Sequence, residues 1–179
     1  MNLIISKLKN KALIYLFTLL CALPAGAAEM EYPAKGEKTV CVGAGYVSRN
    51  KSASAGVAFS YRFSRVFSLA PSVDYIFRHN DYDGMIINLD TRYSLPLTTP
   101  RWDIYPLAGV NITSWTYHHP KLEDESDDVT SRTNRLGLNA GLGIAFRATN
   151  TLRLVLEGKE SFVKSASTTL VKFSIGYTF

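Results

Sequence analysis

Past Leu23 this 179-residue chain has no apolar run of the roughly 20 residues that a membrane-spanning helix requires, so any crossing of a bilayer has to be made by strands. Cysteine is nearly absent. Cys21 and Cys41 are the only two, and Cys21 lies in a segment read below as a removable leader, which leaves no intramolecular disulfide. Net charge is scarce as well. The 20 basic residues include Lys7, Lys9 and Lys11 of that leader, so 17 basic residues face 15 acidic ones in the remainder, a balance of +2. A chain so nearly neutral carries no nucleic-acid footprint. No solenoid-type repeat is present. Nor do a nucleophile, a base and an orienting group occur in a recognisable arrangement. The histidines His79, His118 and His119 fall in expected loops, and Ser161 has no nucleophile-elbow motif around it. Neither a catalytic activity nor a cofactor is expected.

What is present begins with that leader. Three lysines precede the apolar run Ala12 to Leu23, and Ala25-Gly26-Ala27 supplies the small residues of a cleavage site. Residues 1–27 therefore read as a removed signal peptide. Lipidation at Cys21 is not expected, because Leu20 stands where a lipoprotein signal needs a small residue. Residues 28–37, with Pro33 and Gly36, read as a short N-terminal lead, and 38–179 as one domain.

That domain is a succession of alternating runs. The spacing predicts strands over 38–47, 53–63, 66–78, 84–95, 101–115, 134–148, 151–162 and 168–179, each able to supply the 9–11 residues of a tilted membrane strand. Links near Ser64, Pro96–Pro100 and Thr149–Asn150 read as short. Those over Ser48–Ser52, His79–Asp83, Thr116–Thr133 and Val163–Ser167 read as longer or more polar. Short and long links thus alternate, as periplasmic turns and extracellular loops do, and an even strand number returns both termini to the periplasmic side. In His79-Asn80-Asp81-Tyr82-Asp83-Gly84, the Asp-Gly pair predicts the hairpin turn.

The chemistry of the two faces decides which lies outside. One parity carries Val40, Val42, Val57, Phe59, Leu69, Val73, Ile87, Leu89, Val110, Leu138, Leu142 and Leu156. Aromatics (Tyr61, Phe63, Phe67, Tyr93, Trp102, Phe146, Tyr177, Phe179) gather at its periplasmic rim, and a sparser set (Tyr46, Tyr75, Phe77, Phe162) at the other. The opposite parity is rich in Gly, Ser and Asn. A solvated sheet exterior favours Thr, Lys and Glu, because glycine weakens strands, whereas the crowded interior of an eight-stranded barrel needs small residues. The apolar face is therefore expected to meet hydrocarbon. The fold class is all-β: an eight-stranded antiparallel transmembrane up-and-down β-barrel. Pro71 and Pro106 fall inside strands and remove ladder donors, so bulges or locally broken pairing are expected there.

The runs Leu69-Ala70-Pro71-Ser72-Val73-Asp74-Tyr75, Tyr105-Pro106-Leu107-Ala108-Gly109-Val110, Gly141-Leu142-Gly143-Ile144-Ala145-Phe146 and Phe173-Ser174-Ile175-Gly176-Tyr177-Thr178-Phe179 resemble those of the small OmpA/OmpX-like outer-membrane barrel proteins. The resemblance is one of pattern over the whole domain, and it carries no catalytic signature. It implies residence in a Gram-negative outer membrane. It also implies that Phe173, Ile175, Tyr177 and Phe179 form the signal read by the barrel-assembly machinery. The periplasmic peptidoglycan-binding domain of full-length OmpA-type proteins is not expected, so cell-wall anchoring is not implied.

The interior parity also carries Arg62, Asp74, Arg78, Asp90, Arg92, Asp103, Arg147, Arg153, Glu157, Lys159 and Lys172. Buried charges need partners, so an ionic network plugging the lumen is expected in preference to a narrow gated ion path. Counting from the turns groups Arg92, Asp103 and Arg147 at one depth and sets Glu157 opposite Lys172. The longest loop holds His118, His119, Glu123, Asp124, Glu125, Asp127 and Asp128. It reads as a hydrated acidic surface loop in preference to a divalent-cation site, since no ligand spacing is fixed. The expected role is structural or surface-interacting: envelope integrity, adhesion, or contact with lipopolysaccharide or host molecules through the loops. A small-solute channel is the first alternative and a lipid-modifying enzyme the second.

Overall fold

The computed structural model describes residues 32–118, 130–164 and 167–179. Eight strands follow one another: β1 (Lys38–Val47), β2 (Ser52–Arg62), β3 (Phe67–His79), β4 (Tyr82–Tyr93), β5 (Trp102–His118), β6 (Thr130–Arg147), β7 (Leu152–Val163) and β8 (Thr168–Thr178). Each pairs antiparallel with the next, and β1 returns to β8, so the sheet closes into an up-and-down barrel without a free edge. Phe179 sits at the seam. Its N–H donates to the carbonyl of Lys38 at 2.9 Å, and the N–H of Lys38 donates to its carbonyl at 3.2 Å.

The expected strands agree with these to within a few residues. The largest difference is at β5 and β6, which continue in register to His118↔Thr130, because the Thr- and Tyr-rich segments there keep pairing above the apolar belt. The alternation of link lengths is weaker than expected. The β3–β4 link is only Asn80-Asp81, while 94–101 connects β4 to β5 at the opposite end. Asn80 and Asp81 take positive φ (49° and 62°), the requirement of a type I′ hairpin turn, so they make the turn where Asp83-Gly84 was expected to. Asp83 and Gly84 already belong to β4.

At both prolines pairing is locally broken, and no bulge forms. The β2–β3 ladder runs from Ala58↔Ser72 to Tyr61↔Leu69 in an unchanged register and skips Pro71, while β4–β5 pairing stops at Leu107, next to Pro106. Among the described residues, the one register shift lies between Ile76 and His79 at the outer rim.

Burial alternates residue by residue, and its sense is inverted relative to a soluble protein. Val42, Val57, Val73, Leu89, Val110, Leu138, Leu142, Leu156 and Val171 are exposed on the outer face, while Asp74, Asn88, Asp90, Asn111, Glu157 and Lys172 are buried inside. A continuous belt of exposed aliphatic side chains is far larger than the apolar patches water-soluble monomers tolerate. Aromatic pairs bound it: Phe67–Tyr93 at 5.1 Å and Trp102–Phe146 at 4.8 Å near the termini, and Tyr75–Phe77 at 5.6 Å at the other rim. An apolar band between two aromatic girdles is the exterior of a membrane-spanning barrel.

Candidate functional site: the filled lumen

Eight strands enclose a space only as wide as the side chains that fill it, so the interior is where the sequence concentrates its chemistry. It is layered from the termini end outwards.

At the termini end Glu37, the last residue before β1, lies among three arginines. Its carboxylate pairs with Arg147 Nη2 at 2.5 Å and with Arg153 Nη2, and lies 3.7 Å from Arg62 Nε. Arg62 also donates through Nη2 to Asp103 Oδ2 at 2.8 Å and through Nη1 to Ser94 Oγ at 2.9 Å. Deeper in the lumen, Arg92 pairs with Glu157 at 2.8 Å and lies 5.2 Å from the centroid of the Tyr105 ring, and the Tyr105 hydroxyl donates to the same Glu157 oxygen at 3.2 Å. Gly143 makes this possible, because a Cβ there would stand 2.3 Å from the Tyr105 ring.

The middle layer is one connected chain of hydrogen bonds. Lys172 donates to Asp74 Oδ1 (2.7 Å), Asn88 to Asp74 Oδ2 (3.3 Å), Asn139 to both Asn88 Oδ1 (2.9 Å) and Asp90 Oδ1 (2.7 Å), and Lys159 to Asp90 Oδ2 (2.8 Å). Asn111 joins it through Asn139 at 2.5 Å. Every carboxylate here has a cation and an amide, the condition under which buried charge is tolerated. Above this layer the lumen turns apolar: Val47, Ile76, Ile86, Trp115 and Leu170 pack together, and the Arg49 guanidinium lies 5.8 Å from the Trp115 ring.

Of the eleven charges assigned to the interior, ten lie there. Arg78 does not. It stands at the outer rim with its side chain about half exposed (55 %), paired to Asp81 at 3.0 Å, because β3 extends beyond the belt before it turns. The partners also differ from those counted along the strands. Asp103 meets Arg62 of β2, not Arg92 or Arg147. Glu157 and Lys172 are register neighbours, yet each is neutralised across the lumen, by Arg92 and Asp74. Glu37 was missed because it precedes the alternating pattern. The apolar layer was missed because its members sit beside lipid-facing residues as doublets, Tyr46-Val47, Ile76-Phe77, Ile86-Ile87 and Leu170-Val171, and such doublets at one height were the available signal.

Phe173, Ile175, Tyr177 and Phe179 lie exposed on the outer face of β8 and just beyond it. Among the loop candidates, His118 pairs with Asp83 at 2.5 Å. His119, Glu123, Asp124, Glu125, Asp127 and Asp128 lie outside the described residues, as does the expected signal peptide. Ser161 is buried, and its hydroxyl has no hydrogen-bond partner among the described residues.

No protein-family model matches the chain, and no curated protein matches it. Solved structures do. The N-terminal β-barrel domain of OprF from Pseudomonas aeruginosa superposes with a TM-score of 0.66 at 14% identity, over 82% of this chain and 100% of that one. Ail, the attachment invasion locus protein of Yersinia pestis, gives 0.60 at 14% identity over 82% and 100%. The outer-membrane protein OprG from Pseudomonas aeruginosa gives 0.57 at 12% identity over 84% and 99%. At such identities the likeness is one of architecture, and the chain has the fold of the small eight-stranded outer-membrane β-barrels, the OmpA/OmpX-like type.

Proposed function

We propose that this protein is an outer-membrane barrel, exported by a signal at 1–27 and built from a lead (28–37) and a barrel (38–179), that acts through its surfaces and not as a diffusion pore. The observation that carries the reading is the filling of the lumen: buried carboxylates satisfied by cations across the barrel, capped by the apolar layer around Trp115. An ion crossing it has to displace several desolvated pairs and then pass a dry constriction. The termini end faces the periplasm in this reading, and the girdle-bounded belt holds the barrel in lipid. Phe173, Ile175, Tyr177 and Phe179 present the face offered to the barrel-assembly machinery.

The described part of the outer rim, to which the acidic residues of 119–129 do not belong, supports contact with anionic groups such as lipopolysaccharide phosphates. Arg49, Lys51, Arg132 and Lys164 are exposed there, against the partnered Asp81 and Asp83. Ail, which shares the fold, has been solved in complex with the heparin analogue sucrose octasulfate. Planar-bilayer recording of the refolded protein tests the main claim. Silent bilayers are expected, and stable openings abolished by Glu157→Ala would establish an ion path instead.

A further inference from the structure

The end that carries both termini has a cleft of about 740 Å³, set between the lead, the β2–β3 turn and the 94–101 loop. Arg62 fixes two of its edges. Its carbonyl accepts from the Gly36 N–H of the lead at 2.7 Å, and its Nη1 donates to the carbonyl of Arg65 in the turn at 3.2 Å. The Tyr32 hydroxyl ties the lead to the third edge by donating to the carbonyl of Thr98 at 2.7 Å. The segments that carry Lys35 and Arg65 thus meet at Arg62. Both residues line the cleft and are exposed, and neither has an ion-pair partner among the described residues. Asp103, the one carboxylate of the lining, is paired with Arg62 at 2.8 Å, so two positive charges are left over. Leu95, Leu97 and Trp102 form an apolar wall continuous with the aromatic girdle, where Trp102 meets Phe146. The surroundings have the same sign. Lys38 is exposed and Arg101 half-buried at this end, and among the described residues no acidic side chain there is exposed, Glu37 being taken up by the arginines of the mouth.

Surplus positive charge beside an apolar wall at the height of the membrane interface is complementary to an anionic amphiphile. We propose that the cleft binds the headgroup of an anionic phospholipid, of the phosphatidylglycerol class. Its phosphate lies between Lys35 and Arg65, and its glycerol backbone and upper acyl chains lie on Leu95, Leu97 and Trp102. Net charge is what selects. A zwitterionic headgroup brings its own ammonium, which offsets the phosphate and is repelled by the two cations. A soluble phosphate gains nothing from the apolar wall, so the occupant is a lipid. The volume is that of an ordinary small-ligand site. The assignment of this lipid to the periplasmic leaflet rests on the orientation proposed above.

Photo-crosslinking of the full mature protein in mixed micelles tests the site. Phosphatidylglycerol and phosphatidylcholine each carry the same diazirine near the head of an acyl chain, and peptide mass spectrometry locates the adducts. Phosphatidylglycerol is expected to label Leu95, Leu97 or Trp102 on the order of tenfold more than phosphatidylcholine does, within what two basic residues at a membrane surface supply. K35A/R65A lowers its yield at the wall to that of phosphatidylcholine. K51A/K164A, which removes exposed cations at the opposite rim, leaves that yield unchanged, as does an excess of glycerol 3-phosphate. Equal labelling of the wall by the two lipids, or undiminished labelling in K35A/R65A, overturns the proposal. Loss of the wall adducts in K51A/K164A does the same, and so does their loss to glycerol 3-phosphate, the mark of a soluble-phosphate site. So do adducts scattered around the belt without enrichment at the wall, or none there, as when the chain's own residues before Tyr32 fill the cleft. Micelles have no sidedness, so this result is independent of orientation, which surface labelling of intact cells reads by itself.

Discussion

Lys172 on β8 reaches Asp74 on β3 at 2.7 Å, although two strands, β1 and β2, stand between them in the barrel wall. The contact crosses the lumen, and both residues are almost wholly removed from solvent. A pair of this kind is a poor source of net stability but a costly one to break.

Replacing one partner alone strands the other. Lys172→Met is expected to cost about 3–5 kcal/mol, and the double variant Lys172→Met with Asp74→Leu to recover most of it. Urea titration of the barrel refolded into lipid vesicles checks both. A double variant whose loss equals the sum of the two single losses would show that the pair is not coupled.

Glu37 holds together the arginines at the mouth, and it does so from the lead, outside any strand. Glu37→Ala leaves Arg62, Arg147 and Arg153 facing one another with less negative charge. We expect the temperature at which the folded gel band shifts to its unfolded position to fall clearly, with a loss of at least about 2 kcal/mol in urea. Glu37→Gln, which keeps the hydrogen-bonding shape, is expected to lose nearly as much if charge is the cause.

Two glycines on neighbouring strands separate packing from backbone effects. At Gly143 a Cβ meets the Tyr105 ring at 2.3 Å, so Gly143→Ala should destabilise by about 1–3 kcal/mol through overpacking. At Gly158 a Cβ meets nothing within 4 Å, and Gly158→Ala should be neutral or stabilising by up to about 1 kcal/mol. The same urea titration measures both, and the reverse order would contradict the inward placement of Gly143.

Leu142 lies near the middle of the belt and is 65 % exposed. In water such a site accepts a charge freely. Facing hydrocarbon, Leu142→Arg should cost about 2–4 kcal/mol, whereas the same change at the rim, Leu95→Arg, should cost at most about 1 kcal/mol. Equal costs at the two depths would argue against a lipid-facing belt.

The two faces of each strand were legible because side-chain alternation is a local property: Thr169 to Phe179 states its own inside and outside without reference to any other strand. Strand order followed from consecutive hairpins. The turn at Asn80-Asp81 was misplaced because Asp-Gly is the commoner signal, while the positive φ of Asn80 and Asp81 is imposed by where β3 and β4 stop pairing. Arg78 was misassigned because parity records a face and not a height, and height decides whether an inward residue is enclosed.

The sequence by itself thus determined an inside-out barrel, since period-two patterning, small interior residues and rim aromatics are each readable along one strand. Only closure of the sheet decided which charges meet. Arg62 with Asp103, Arg92 with Glu157 and Lys172 with Asp74 are neighbours across a cylinder, and their contact depends on its diameter and on the stagger of its strands. Those quantities belong to all eight strands together, and no segment of the chain carries them alone.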